Sequence, residues 1–329
     1  MSIKCGIVGY GMGAYHCNLI KNTPGLEVAA VADISKEARE RAAQAEGVAV
    51  FPSLTKMLED SDVELVVIVT PHDTHAALTI EALDAGRHVV CEKAMCLNVA
   101  EADAMIKAAR RNKKMLSVFQ NRRWDSDYVT VKTAVESGLL GEVFDIQSAV
   151  GGYGRPGGWR AMKKHGGGML YDWGAHLVDQ VVQMVPAKPM RVYANMQHRV
   201  WDVDVETLAL VNIHFANGCD AHIDVGNISW IAAPRWFVRG EKGALTKQTL
   251  GDETKAVVRT RLNGQTVEMT LDPVQTSWNS YYENIRDHLT KGAELIVKPE
   301  QCRTAIGIIQ AAFISAKEGR AVPLKEVGV

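Results

Sequence analysis

The sequence lacks the features that mark membrane, secreted and nucleic-acid-binding proteins. Its apolar runs are all shorter than the ~18–20 residues that a membrane-spanning helix needs. The first residues, Met1 to Val8, show none of the segments of an export signal. The formal net charge of -1 gives no broad attraction to nucleic acid or anionic membranes. We therefore predict a cytoplasmic protein with a small-molecule partner, no nucleic-acid partner and no membrane span.

Cysteines are few, and their spacing is not that of a disulfide or zinc framework. The six cysteines include no Cys-x-x-Cys pair and no zinc-like spacing with histidine, so we predict reduced, mostly buried thiols. His72 and His75 are interpreted as turn and helix-cap residues beside a cofactor rather than as half a metal site. Asp172, His176 and Asp179 could together bind a divalent ion, but we prefer a catalytic role for them and predict no metal.

Strand-like and helix-like segments alternate through the first third of the chain. Six apolar segments are separated by helical patterns: Lys4–Val8, Val28–Ala32, Val48–Phe51, Leu65–Thr70, His88–Cys91 and Met115–Phe119. Strands this apolar are typical of a parallel sheet that is covered on both faces. We predict an α/β Rossmann domain with a doubly wound parallel sheet over residues 1–120.

The pattern changes after Gln120, where the strands become longer and alternate between apolar and polar residues. They are Phe144–Val150, Met190–Arg199, Thr207–Phe215, Cys219–Val225, Trp236–Arg239 and Gln265–Thr270. We predict an α+β domain over residues 121–329 with an open, largely antiparallel sheet. The face of this sheet that helices do not cover is predicted to build a homodimer or homotetramer.

A glycine-rich turn between the first strand and the first helix has the pattern of a dinucleotide-binding turn, with predicted cofactor contacts at Gly9, Gly11, Met12 and Gly13. Gly9 permits the tight turn, Gly11 lets a pyrophosphate approach, and Ala14 lets the helix pack on the strand.

Asp33 ends the second strand, where a carboxylate can bind both ribose hydroxyls. A carboxylate repels a 2′-phosphate, which favours NAD over NADP. Lys36 could offset that repulsion, so NADP stays an alternative.

Three further segments lie where strands end or where the second domain begins a helix. They are Thr70 to His75, Glu92-Lys93-Ala94, and Gly166 to Asp179. With them, nearly the whole chain resembles the Gfo/Idh/MocA family of glucose–fructose oxidoreductase, inositol dehydrogenase and rhizopine catabolism proteins. The resemblance implies hydride exchange between a nicotinamide and a hydroxyl carbon of a sugar, a sugar derivative or a cyclic polyol.

The resemblance also implies roles for individual residues. Lys93 corresponds to the lysine that touches substrate and nicotinamide ribose, and Asp172 and His176 to the substrate-binding and proton-transferring pair. Further cofactor contacts are expected at Thr70, Pro71, His72, His75, Glu92 and Arg123, and further substrate contacts at Arg122, Trp159, Arg160 and Asp179. Ala94 stands where the family usually has proline, which leaves open whether the Lys93–Ala94 peptide is cis.

Alcohol oxidation needs a base for the hydroxyl proton, and histidine is the commonest such base. Asp172 and His176 are four residues apart, so they share a helix face if the helix begins near Asp172. Lys93 would stabilise a developing alkoxide. We expect Lys93 and His176 to meet in a cleft between the domains, at the carboxyl ends of the parallel strands.

The segment from Gly151 to Gly168 is rich in glycine, so we predict a mobile loop near the substrate. Trp159 could stack on a sugar and Arg160 could donate hydrogen bonds to it. Four basic residues in the loop leave an anionic sugar acid open as the substrate. Two other functions also stay open, namely a redox-dependent glycosidase that recycles NAD and a non-catalytic sugar or nucleotide sensor. Which sugar, which carbon and which direction are not indicated.

Overall fold

The computed structural model describes residues 2–329, which form two compact units. The first unit runs to Gln120 and includes Trp278–Arg303, and the second consists of Asn121–Ser277 and Thr304–Val329. The predicted second domain, residues 121–329, thus contains one segment that packs within the first unit.

The first unit contains six strands: β1 Ile3–Val8, β2 Leu26–Ala32, β3 Ala49–Phe51, β4 Leu65–Ile68, β5 His88–Cys91 and β6 Leu116–Val118. They form a parallel sheet in the order β3-β2-β1-β4-β5-β6. The helices that follow the strands are α1 Gly13–Lys21, α2 Lys36–Glu46, α3 Leu54–Asp60, α4 His75–Asp84 and α5 Val99–Asn112. This is the predicted Rossmann architecture, and it is confirmed.

The core of the first unit consists of buried strand residues and of side chains from a segment later in the chain. All four residues of β4 are completely buried, as expected for a strand covered on both faces. Helix α8, Asn279–Lys291, belongs to the same unit and buries Tyr281, Tyr282 and Ile285. The Tyr281 ring lies edge-on to Phe119, with 4.9 Å between centroids. The aromatic residues of α8 therefore complete the core of the first unit.

The second unit contains a nine-stranded sheet. Its strands are β7 Val143–Gly151, β8 Pro189–Gln197, β9 Leu208–Phe215, β10 Asp220–Gly226, β11 Trp236–Gly240, β12 Gly243–Lys247, β13 Ala256–Leu262, β14 Gln265–Leu271 and β15 Val322–Pro323. The strand order is β14-β13-β12-β11-β7-β10-β9-β8-β15. Strands β7 and β10 are parallel, and the other described pairs of this sheet are antiparallel. The prediction of a largely antiparallel sheet is confirmed.

The central strands of this sheet are buried on one side. In β9, Ala209, Val211 and Ile213 are buried, whereas the residues between them are half-buried or exposed. Strand β10 alternates in the same way. The second unit also holds the helices α6 Ser126–Glu136 and α7 Ala175–Met184, and helix α9, Pro299–Glu318, runs from the first unit into the second.

The described residues also bear on the cysteine and membrane predictions. All six cysteines are buried and free, as predicted. Across residues 2–329, no helix has both the length and the apolar character to cross a membrane. Within the same residues, no group of three or more His, Cys, Asp or Glu side chains is arranged to hold a metal ion.

Candidate active site

The glycine-rich turn has the backbone that a dinucleotide requires. Gly9 has a φ of 95°, and a Cβ there would lie 2.3 Å from the carbonyl oxygen of Val69. A Cβ on Gly11 would meet nothing within 4 Å, so the backbone at Gly11 is open to a bulky ligand. Because helix α1 begins at Gly13, its first N–H groups can receive a phosphate. These features fit a bound pyrophosphate.

One detail of the predicted turn is wrong. Ala14 was expected to let the helix pack on the strand, but Ala14 is exposed. Gly13 makes the close approach instead, because a Cβ there would lie 2.9 Å from the Cγ2 atom of Ile7 in β1. The small residue that the packing requires is therefore one position earlier.

Asp33 is held in a fixed orientation at the end of β2. One carboxylate oxygen accepts the N–H of Tyr10 at 2.7 Å, and the other accepts the N–H of Ser35 at 2.8 Å. Each oxygen keeps a further lone pair for a ribose hydroxyl. Lys36 points away into solvent, with its ammonium 3.7 Å from the Glu40 carboxylate. The arrangement fits an adenosine ribose beside Asp33.

Two histidines hold the backbone that follows β5. His72 Nε2 lies 3.1 Å from the Lys93 carbonyl oxygen, and His75 Nδ1 lies 2.8 Å from the Ala94 carbonyl oxygen. The other ring nitrogen of His75 contacts the Thr70 carbonyl oxygen at 2.8 Å. The Lys93–Ala94 peptide is cis. His72 and His75 thus fix the peptide bond that follows Lys93, and their predicted cofactor contacts stay predictions.

Asp172 and His176 lie on one continuous helical segment of the second unit. Residues Leu170–Gly174 form a π-helical turn that leads directly into α7, so Asp172 lies in the π-helical turn and His176 lies in the α-helix. The wider turn changes the relative direction of the two side chains from that of a regular i, i+4 pair. His176 is 4% exposed. The segment nevertheless keeps both side chains on a single rigid element.

The glycine-rich loop brings Arg160 to Asp172. Arg160 Nε donates to an Asp172 carboxylate oxygen at 3.1 Å, and its guanidinium lies 4.6 Å from the centre of the Trp159 ring. The loop contains two short 3-10 turns, Gly158–Ala161 and Lys163–His165, where the glycine content had predicted no regular structure. Arg160 therefore orients the carboxylate of Asp172, and its predicted contact with substrate stays a prediction.

Glu206 is a residue of the site that the sequence patterns did not indicate. Its carboxylate accepts the N–H of Leu170, the first residue of the π-helical turn, at 2.8 Å. A Cβ on Gly168 would lie 2.3 Å from the same carboxylate, so only glycine fits above it. Burial raises the pKa of Glu206 to about 7. Glu206 thus anchors the segment that carries Asp172.

Arg122, Arg123 and Asp179 are tied to neighbouring residues of the second unit. Arg123 and Asp179 form a buried bidentate pair with two bonds of 2.7 Å. Arg122 pairs with Asp125 at 2.7 Å, and its guanidinium lies 4.2 Å from the Trp173 ring centre. The structure therefore gives these three residues supporting contacts around α7, and the cofactor and substrate roles predicted for them stay predictions.

The family of the chain is shown by two domain models. A model described as "Oxidoreductase family, NAD-binding Rossmann fold" matches residues 3–120. A model described as "GFO/IDH/MocA C-terminal domain" matches residues 128–246. The chain belongs to the Gfo/Idh/MocA oxidoreductase family. The resemblance predicted from the sequence motifs is thereby confirmed.

Two of the similar proteins match almost the whole chain, and a third matches less than half of it. A solved NAD-binding protein from Listeria innocua is 36% identical, with a TM-score of 0.91 and coverage of 98% of this chain and 97% of that chain. The scyllo-inositol 2-dehydrogenase (NADP(+)) of Bacillus subtilis is 28% identical over 98% of this chain and 96% of its own length. An inositol 2-dehydrogenase of Salmonella typhimurium is 34% identical over 43% of this chain and 44% of its own length.

This member of the Gfo/Idh/MocA family is therefore an oxidoreductase with an NAD-binding Rossmann domain. Its relatives carry names with both cofactor types, since one is called an NAD-binding protein and another is called NADP-dependent. The choice between NAD and NADP and the identity of the substrate must be argued from this chain's own residues.

Proposed function

We propose that the protein is an NAD-dependent dehydrogenase that oxidises a secondary hydroxyl group of a neutral cyclic polyol or sugar. The choice of NAD rests on Asp33, whose two oxygens are oriented by the N–H groups of Tyr10 and Ser35. A carboxylate held in this way can bind two ribose hydroxyls and would repel a 2′-phosphate. The polyol class rests on relatives that are named inositol dehydrogenases.

The observation that carries the proposal is the constrained backbone around Lys93. Its N–H donates to Glu92 at 2.8 Å, and the two carbonyl groups that follow contact His72 and His75. Positioned catalytic groups need surroundings that hold them within a fraction of an ångström. We propose that this turn directs the Lys93 ammonium to the substrate oxygen, where it stabilises a developing alkoxide.

We propose that the proton is taken by the second unit. His176 accepts the hydroxyl proton as general base, and Asp172 binds the substrate beside it. A bound nicotinamide cofactor would supply the hydride acceptor. Arg160 holds Asp172 by its bond of 3.1 Å, and this pairing offsets one basic charge of the glycine-rich loop. A neutral substrate is favoured over a sugar acid for that reason.

Substitution of the three proposed residues tests this function. NAD reduction would be measured with a panel of cyclic polyols, aldoses, sugar acids and aryl glycosides. His176→Ala and Lys93→Met are each expected to lower kcat at least about a hundredfold while NAD still binds, because a positioned acid or base contributes about 10²–10⁴. The kcat of Asp172→Asn should fall somewhat less. A variant that combines His176→Ala with Lys93→Met should have a kcat little below that of the slower single variant.

Two outcomes would contradict the proposal. If kcat is unchanged in His176→Ala or Lys93→Met, the residue concerned is not catalytic. Cleavage of an aryl glycoside without net NADH would identify the protein as a redox-dependent glycosidase instead. Release of one NADH for each polyol oxidised is the expected result.

A further inference from the structure

His16 is a completely buried histidine in the first turns of α1, outside every motif that pointed to the active site. Its Nδ1 atom lies 2.7 Å from the hydroxyl oxygen of Tyr282, and its Nε2 atom lies 2.9 Å from the carboxylate of Glu92. All three residues belong to the first unit. His16 therefore links helices α1 and α8 to the residue that precedes Lys93.

The donors and acceptors of this group can be assigned. In a neutral imidazole one nitrogen donates and the other accepts, and the ionised Glu92 carboxylate can only accept, so Nδ1 of His16 is the nitrogen that accepts the Tyr282 hydroxyl. A histidine that accepts at Nδ1 carries its proton on Nε2. His16 therefore donates its Nε2–H to the carboxylate of Glu92.

Glu92 connects His16 to Lys93 through its two carboxylate oxygens. Burial raises the pKa of its carboxyl, but the hydrogen bond from His16, together with the charge and the N–H of Lys93, outweighs burial, so the pKa lies below its ordinary value. One oxygen of the carboxylate faces His16, and the other accepts the N–H of Lys93 at 2.8 Å. An ionised carboxylate accepts a stronger hydrogen bond than a neutral one.

We infer that His16 is a positioning residue for Lys93, acting through Glu92. This inference rests on the proposed function for the role of Lys93. Packing alone does not require an imidazole here, although the ring lies 4.5 Å from that of Phe119 between centroids. A buried polar ring is costly unless it is hydrogen-bonded, so an apolar side chain would fill the same space at lower cost. The bond to Glu92 is the property that an apolar residue could not supply.

Two substitutions of His16 separate positioning from packing. The side-chain amide nitrogen of glutamine reaches the place of Nε2 in histidine, whereas that of asparagine reaches only the place of Nδ1. His16→Gln therefore keeps a donor for Glu92, and His16→Asn removes that donor. Both variants leave a polar amide in the same buried position, which makes each the control for the other's effect on folding.

The expected result is a difference between the two variants. With NAD and the best polyol of the panel, His16→Gln should keep kcat within about threefold of the wild type, and His16→Asn should lower it at least about tenfold with little change in KM for NAD. Loss of the donor raises the pKa of the buried Glu92 carboxyl. The acid limb of kcat/KM should therefore move to higher pH in His16→Asn, by about one unit or more.

The surroundings of Glu92 define what else could move this acid limb. Its titratable neighbours are His16 from α1, Tyr281 and Tyr282 from α8, His75 from α4, and the adjacent Cys91 and Lys93. His88→Asn is a matched control, because His88 is a partly buried histidine of the same unit whose Nδ1 accepts the Met115 N–H at 3.0 Å. It should leave the acid limb in place. Equal losses of kcat and of melting temperature in both His16 variants would overturn the inference.

A second readout needs no turnover. Lys93 can be labelled with an amine-reactive reagent and the label quantified by peptide mass spectrometry. The labelling rate should change in His16→Asn and match the wild type in His16→Gln. If the wild type oxidises no polyol but the three proteins differ in labelling as expected, the proposed function fails and the positioning role stands. Equal labelling in all three proteins would overturn the positioning role whatever the activity.

Discussion

Asp33 and the residue after it decide how this protein should respond to a change of cofactor. Ile34 is 92% exposed beside the oriented carboxylate of Asp33, so a new side chain at position 34 disturbs no core packing. Replacing the carboxylate removes the repulsion of a 2′-phosphate, and an arginine at position 34 can bind that phosphate.

The double variant Asp33→Ser, Ile34→Arg is accordingly expected to raise the ratio of kcat/KM for NADP to that for NAD at least about tenfold, or about 1.4 kcal/mol. The single variant Ile34→Arg is the control and should have a smaller effect, since the carboxylate remains. A wild-type protein that already prefers NADP by tenfold would contradict the role given to Asp33.

Single residues of the site differ in how far the sequence could predict them. Asp33 was predictable because its role follows from a local motif and its place at a strand end. His16 and Glu206 were not, because their partners Glu92 and Leu170 are 76 and 36 positions away. The residues next to a buried histidine or glutamate in the sequence do not indicate which distant residue it hydrogen-bonds.

At the scale of the element, the π-helical turn Leu170–Gly174 is held by the buried carboxyl group of Glu206. Ionising this group in the folded protein costs free energy. Burial raises the pKa of Glu206 to about 7, whereas an exposed glutamate titrates near 4.5. The folded state therefore favours the protonated form. The stability cost of ionisation grows as the pH rises from about 4.5 to 7 and is complete above that range.

Glu206→Gln should remove this cost and still offer an oxygen to the N–H of Leu170. We expect the variant to gain stability relative to the wild type at pH 8, by up to about 3 kcal/mol, with a much smaller gain at pH 5. Chemical unfolding at the two pH values measures the difference. A stability difference that does not change with pH would contradict the shifted titration of Glu206.

The strands and helices also differed in how well they could be predicted from the sequence. Strands β9 and β10 were predictable because a strand buried on one side has alternating apolar and polar residues. Strands β12 and β13 were not predicted, since β12 begins at a glycine and the second half of β13 is largely exposed. The return of α8 to the first unit was also hidden, because helical periodicity does not say which core a helix covers.

At the scale of the whole molecule, the uncovered face of the large sheet is the surface for which self-association was predicted. A depression on this face is lined by, among others, Gln147, Leu210, His222, Phe237 and Arg239. Leu210, the third residue of β9, is 38% exposed. A leucine exposed in the middle of a sheet face is a suitable contact for a second copy of the chain.

Leu210→Glu is expected to convert a dimer or tetramer into smaller species, because a charge buried at an interface is costly unless it is paired. Light scattering coupled to size exclusion measures the change. Leu262→Glu is the matched control, since Leu262 is exposed at the end of β13 and lies at the alternation positions of the opposite, buried side. A wild-type chain that is monomeric, or an equal effect of both substitutions, would contradict an interface on this face.

The return of Trp278–Arg303 to the first unit has a consequence for recombination between genes of this family. A crossover near residue 120 would join β1 to β6 of one parent to α8 of the other. His16 and Tyr282, which share a hydrogen bond of 2.7 Å, would then be inherited from different parents. A chimera meant to exchange the nucleotide-binding unit must therefore carry two separate gene segments from the same parent.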